Sequence, residues 1–324
     1  MTVFSRYGRY KLPSEYKKVY DAVTGAIEKR EIQVQVEAIP REAIRLIWKA
    51  LEIDNPQFYY VKFDSWSALR SDTSCTLLIE YTIPLEEQHM LDQKLAAICS
   101  FLKRKAVGKN QKETAQILHD WLVYQRKYGE YEGKTETAYN ILGPLIYGEA
   151  VCEGYAKAYK YLCDALKLRC MVVHGTAKSS VNGKEEGHAW NVVRVDGNFY
   201  HVDVTFDLCI ENEYISRFYF LLSDKECMFD HSAGEASFPP PDCRISGSTL
   251  SIVNGTDALI QFLEKEYRAG AAYSEVRLSK RFSEEKMKSM IESHRTEKNR
   301  DCFHHLDYYS YKAFDHRLLV RWKT

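Results

Sequence analysis

Residues 187–207 read Gly-His-Ala-Trp-Asn-Val-Val-Arg-Val-Asp-Gly-Asn-Phe-Tyr-His-Val-Asp-Val-Thr-Phe-Asp. Asp196-Gly197 divides two runs of alternating apolar residues, the pattern of a β-hairpin closed by a two-residue type I′ turn. Such a turn pairs Val195 with Asn198 and carries the register on to Trp190 opposite Asp203. His188 then shares a face with Asp203 as a diagonal neighbour, about 7 Å away between Cα atoms, so the carboxylate can reach the imidazole. A three-residue loop would slip the register by one and send Asp203 to the other face. On the two-residue register, Tyr200, Val202, Val204 and Phe206 line one face of the second strand, and Phe199, His201, Asp203, Thr205 and Asp207 line the other. Polar groups gathered on one side of such a strand call for water or a site.

Upstream, residues 148–168 read Gly-Glu-Ala-Val-Cys-Glu-Gly-Tyr-Ala-Lys-Ala-Tyr-Lys-Tyr-Leu-Cys-Asp-Ala-Leu-Lys-Leu. Helix formers dominate after Cys152, which places that cysteine in the first turn of a helix. Unpaired N–H groups and the positive end of the helix dipole stabilise an anion there, and a thiolate is one. The ordinary fate of a free cysteine is burial in an apolar core, and Cys163 and Cys170 are assigned to it. Cys152 departs from it only if a base and an orienting carboxylate reach the thiol. His188 and Asp203 are the first candidates for these roles. His201 is an alternative base and Asp207 an alternative acid. A metal site of Cys152, His188 and His201 is a further reading, but the spacings match no ligand framework. No metal and no cofactor are expected.

The flanks are mixed. A helix is expected over 14–29, a strand over 31–37, an amphipathic helix over 41–52, strands over 58–63 and 75–83, and a helix over 86–104. Asn110 with Glu113 has the form of a capping box and opens a helix whose inner stripe is Ile117, Leu118, Trp121 and Leu122. Residues 230–248, with three consecutive prolines at 239–241, read as a long loop or linker. Helices over 256–268 and 283–295 and a tail rich in tyrosine (Tyr308, Tyr309, Tyr311, Phe314, Trp322) complete the chain. The tail suits a subdomain core better than a stacking surface for sugars or peptides. Three regions follow: 1–105, a mixed α/β segment; 106–230, the catalytic core; and 231–324, an accessory region.

The 324 residues carry 45 basic and 45 acidic side chains, so no global field draws the chain to nucleic acid or to an anionic membrane. No apolar run approaches the length of a membrane span, and Met1 to Leu12 has no signal-peptide core. The nine cysteines are odd in number and lack CxxC pairs, which favours free thiols in a reducing compartment, hence a cytoplasmic protein. Nothing here indicates the oligomeric state.

Three ordered motifs resemble the transglutaminase-like superfamily of papain-fold cysteine enzymes, its bacterial members especially. They are Gly148-Glu-Ala-Val-Cys152-Glu-Gly-Tyr-Ala156, Gly187-His188-Ala-Trp190-Asn191 and His201-Val-Asp203-Val-Thr-Phe-Asp207, preceded by His119-Asp120-Trp121-Leu122 and Tyr128. The resemblance covers about residues 106–225. It implies an α+β fold, with the cysteine at a helix N-terminus packed on an antiparallel sheet. It also implies Cys152 as nucleophile, His188 as base and then acid, and Asp203 as the orienting partner. The substrate would be a peptide or protein amide, cleaved through a thioester and resolved by water. Resolution by an amine, as in a protein-glutamine transamidase, is the close variant; a non-catalytic peptide- or glycan-binding module is the third reading. The Cys152 N–H would supply one oxyanion donor. Trp121, Trp190 and Asp207 are candidates for oxyanion or supporting roles, with Tyr139 and Tyr147 behind them, and no calcium site is implied.

Overall fold

The computed structural model describes residues 6–124, 126–178, 184–208, 214–234, 237–280, 283–295, 301–312 and 316–323. The architecture is α+β, with helices and antiparallel sheets in a central unit and α/β elements on either side. Its centre is the helix Cys152–Ala165 packed on a five-stranded antiparallel sheet, in the order His231–Ser232, Arg169–Lys178, Glu185–Val195, Asn198–Val202, Phe220–Leu222. Tyr155, Tyr159, Leu162 and Cys163 of the helix are fully buried. Burying such apolar area is what fixes a helix on a sheet, at about 25 cal/mol per Å² removed from water.

The hairpin closes as its turn chemistry requires. Asp196 (φ 47°) and Gly197 (φ 90°) both take positive φ, and Val195 pairs with Asn198 and Asn191 with Val202. The second strand stops at Val202, however, and Val204–Asp207 is a helical turn rather than more strand. Asp203 causes the change: its carboxylate accepts the Phe206 N–H at 3.1 Å, the N-cap bond that Asp readily offers in place of a ladder bond. The expected two-faced strand over 199–207 is therefore corrected, and His201, Tyr200 and Val202 are all buried.

The N-terminal elements share the central core. Helices Ser14–Glu28 and Arg41–Asp54 and a small sheet (Gln33–Glu37, Ser74–Leu78, Ser67–Arg70) belong to one buried apolar cluster running from Tyr7 to Cys243. Lys157 of the central helix pairs with Glu52 at 2.7 Å. The strand expected at 58–63 is instead a 3-10 turn, Pro56–Phe58, with one isolated bridge at Val61. Pro56 cannot donate to a ladder, and Phe58, Tyr59, Tyr60 and Val61 are all buried, so no alternation was available. Helices follow at Leu85–Lys105 and Gln111–Val123, the second opened by the Asn110/Glu113 capping box.

The stretch after residue 230 is a strap, not a free linker. His231–Ser232 adds to the central sheet, Tyr7 donates to the Pro239 carbonyl at 2.8 Å, and Cys243 is buried in the core. Beyond it a four-stranded sheet (Ile252–Val253, Tyr273–Leu278, Arg317–Trp322, Leu306–Lys312) packs with helices Thr256–Arg268 and Glu284–Arg295 around its own apolar cluster. The tyrosine-rich tail forms two strands of this sheet, with Trp322 buried. Phe314 lies outside the described residues. Eight cysteines are free, and among them seven are buried while Cys152 is half-exposed; Cys209 lies outside the described residues. Among the described residues no helix is long and apolar enough to cross a membrane.

Candidate active site

Cys152 is the first residue of its helix, following Val151 in extended conformation. Its seat is tight. A Cβ on Gly154 would stand 2.2 Å from the Ala138 carbonyl oxygen, and Val151 N–H donates to that same oxygen at 3.3 Å. Glu153 ties the helix start to the sheet, 2.7 Å from His174 Nε2 and 3.0 Å from Lys157 Nζ. Burial disfavours the Glu153 carboxylate, but Lys157 and His174 override it and hold it well below the usual range.

The edge of the hairpin brings the imidazole to the thiol. His188 Nε2 lies 2.7 Å from Asp203 Oδ2, and the ring is close enough to Cys152 for the thiol to favour its charged form. With Nε2 on the carboxylate, Nδ1 is the nitrogen left for sulfur. Burial works against the imidazolium, yet the Asp203 charge and hydrogen bond outweigh it and lift His188 to about 10. Burial likewise opposes the Asp203 carboxylate, while His188 and His231 hold it well below its ordinary value. Trp190 and Phe206 flank the His188 ring, with centroids at 6.1 and 4.7 Å. Asp203 thus holds the His188 ring, and the Cys152 thiol lies close enough to act on that ring.

Other sequence candidates are engaged elsewhere. His201 is buried, with Nδ1 accepting from Trp190 Nε1–H at 3.0 Å and Nε2 at 2.8 Å from Asp224 Oδ1. An indole nitrogen can only donate, so His201 must carry its own proton on Nε2. That tautomer spends both ring nitrogens and leaves no lone pair for a metal shared with Asp224 and Cys243, whose atoms converge there. Asp207 accepts the Tyr219 N–H and lies 3.1 Å from His119 Nε2 and 2.7 Å from the Ser216 hydroxyl. Trp121 is half-buried under the Arg126 guanidinium, 4.7 Å from its ring centroid. The Tyr139 hydroxyl donates to Glu130 at 2.8 Å, and the Tyr147 ring packs on Tyr131.

One close neighbour was not foreseen. His231 Nε2 lies 2.9 Å from Asp203 Oδ2, the oxygen that also meets His188. Its position in a stretch read as linker hid it; the adjacent Asp230-His231 pair was the one available signal. His188, Asp203 and His231 converge in the manner of a ligand set. Ligands around a tetrahedral zinc with bonds of about 2.0–2.1 Å stand roughly 3.3 Å apart, whereas the N···O separations here are hydrogen-bond lengths.

Residues 101–204 match the Transglutaminase-like superfamily. This segment is similar to a transglutaminase-like core. Kyphoscoliosis peptidase from Homo sapiens is 26% identical over 121 residues, which are 35% of this chain and 18% of that protein. The Mus musculus protein is 31% identical over 121 residues with the same coverages. The chain thus spans less than a fifth of these curated relatives. Among solved structures, a TGase is 12% identical with TM-score 0.33, over 69% of this chain and 59% of that one. The periplasmic domain of TgpA from Pseudomonas aeruginosa, bound to ethylmercury, is 12% identical with TM-score 0.29, over 45% of this chain and 66% of that one. All three sequence motifs of the site begin inside the transglutaminase-like segment, whereas His231 follows it.

Proposed function

We propose that the chain is a cysteine enzyme acting on amide bonds through Cys152, His188 and Asp203, most simply a peptidase or amidohydrolase. The single observation that supports this reading most is the 2.7 Å His188–Asp203 contact, beside a half-exposed thiol at a helix start. In the first half-reaction the Cys152 thiolate adds to the amide carbonyl carbon. The resulting oxyanion faces the N–H groups that a helix start leaves unpaired, that of Cys152 among them. His188 gives its Nδ1 proton to the departing nitrogen as the C–N bond breaks, and a thioester remains. Water then adds to the thioester, passing a proton to His188, and the acid and the free thiol are released. Asp203 keeps the ring oriented and stabilises its positive charge throughout. The name of the curated relatives favours hydrolysis over transfer to an amine.

The test is peptide-library profiling by mass spectrometry with and without an added primary amine. Products gaining water in both arms support hydrolysis. Amine adducts that replace them establish transamidation, and turnover unchanged in Cys152→Ala overturns the nucleophile.

A further inference from the structure

The site contains a second imidazole that the reaction as written does not use. His231 is buried on the strand that edges the central sheet, with Nε2 2.9 Å from Asp203 Oδ2 and Nδ1 2.6 Å from Asp230 Oδ1. Both ring nitrogens therefore face carboxylate oxygens, which accept and do not donate when ionised. Asp203 already takes His188 Nε2 on that oxygen and the Phe206 N–H on the other. Asp230 takes the Tyr219 hydroxyl on its second oxygen. The arrangement asks for a proton on each nitrogen of His231, making it an imidazolium between two anions.

We propose that His231 is a positioning residue of this site: as a buried cation it holds Asp203 by the same oxygen that meets His188 and loosens the grip of His188 on its proton. The proposal rests on the triad reading above. Two effects act in the same direction. His231 partly neutralises the carboxylate that makes His188 basic, and its own charge repels the His188 imidazolium, the ring centroids being 5.4 Å apart. A general acid must release its proton to the leaving amine, and one held too tightly does so poorly. The groups facing His231 are Asp203 before the 204–207 turn, Asp230 and Tyr219 on the segments beside it, His188 and His201 on the hairpin, and Cys227 close to Asp230. Burial opposes the charged form of His231, and Asp203 with Asp230 restores it.

The experiment follows alkylation of Cys152, located by peptide mass spectrometry, with iodoacetate and with iodoacetamide across pH. An imidazolium beside the thiolate favours the anionic reagent, and the preference disappears as His188 deprotonates. In the unaltered protein the preference is expected to vanish near the alkaline pH set by His188. In His231→Gln, which keeps an N–H donor but loses the charge, that point is expected to move up by about one to two pH units. An unmoved or lowered point overturns the proposal while leaving the triad intact. No anionic preference in the unaltered protein overturns both. Nitrogen-15 NMR of the unaltered protein gives a second measure, should the variant not fold: His231 is expected to carry protons on both ring nitrogens at neutral pH, and a neutral ring overturns the proposal.

Discussion

At the scale of single residues, Asp203 and Asp207 make the sharpest contrast. Both are buried and both follow closely on the hairpin strand that ends at Val202, yet Asp203 meets His188 and Asp207 meets His119. Asp203→Asn is expected to cut kcat by about three to four orders of magnitude, the usual cost of losing a triad carboxylate. Asp207→Asn is expected to cost roughly 2–4 kcal/mol of stability, by weakening a buried hydrogen-bonded pair, with a smaller change in kcat. Paired kinetics and thermal melts would distinguish them, and the reverse ranking would assign the orienting role to Asp207. The pH dependence has a definite sign. His188 titrates at about 10 in the folded chain against 6.5 as a free side chain. Its contribution to stability is therefore complete below about pH 6.5 and is lost as pH rises through about 10. Activity is expected to fall over the same alkaline limb, and Asp203→Asn should move that limb to lower pH, because the carboxylate is what raises His188. A limb unchanged in that variant would mean another group sets it. The hairpin parity makes the His188–Asp203 contact legible in the sequence. The His231 contact was not legible, because it depends on a strap folding back across the sheet.

At the scale of elements, the seat of the Cys152–Ala165 helix decides whether the thiol meets the imidazole. The Ala138 carbonyl sits against Gly154 with no room for a methyl group. Gly154→Ala is expected to lower the melting temperature and kcat together, whereas Gly187→Ala, with nothing within 4 Å of its Cβ, should change stability little. Comparable losses in both variants would show that backbone freedom rather than contact matters at these glycines. Helix limits read well from sequence: the Asn110 capping box and the 256–268 helix appear where their patterns put them. The errors share one cause. At Phe58–Val61 every side chain is buried, and at Asp203 a side-chain cap ends the strand, so periodicity had no polar face or no continuing ladder to register.

At the scale of the whole molecule, Glu275 fastens the C-terminal sheet to the loop beyond the site. It lies 2.7 Å from Arg317 Nε and 2.9 Å from the Ser216 hydroxyl, which also meets Asp207 at 2.7 Å and accepts the Phe218 N–H. Glu275→Ala would leave the buried Arg317 without this anion, and a loss of about 3–5 kcal/mol is expected. Limited proteolysis should then cut first within residues 250–322, and early cutting in the central sheet would show the two to be more tightly coupled. The burial that the N-terminal elements share with the central helix leaves no mark in composition. Lys157, on the helix that starts with Cys152, reaches Glu52, and the apolar cluster beneath it runs from Tyr7 to Cys243. Cut out by itself, the 101–204 stretch would expose the surfaces that Ile44, Ile47 and Leu51 now cover. A gene fragment encoding the family signature alone is thus expected to yield insoluble protein, and any attempt to graft this chemistry onto another scaffold has to bring its N-terminal cradle along.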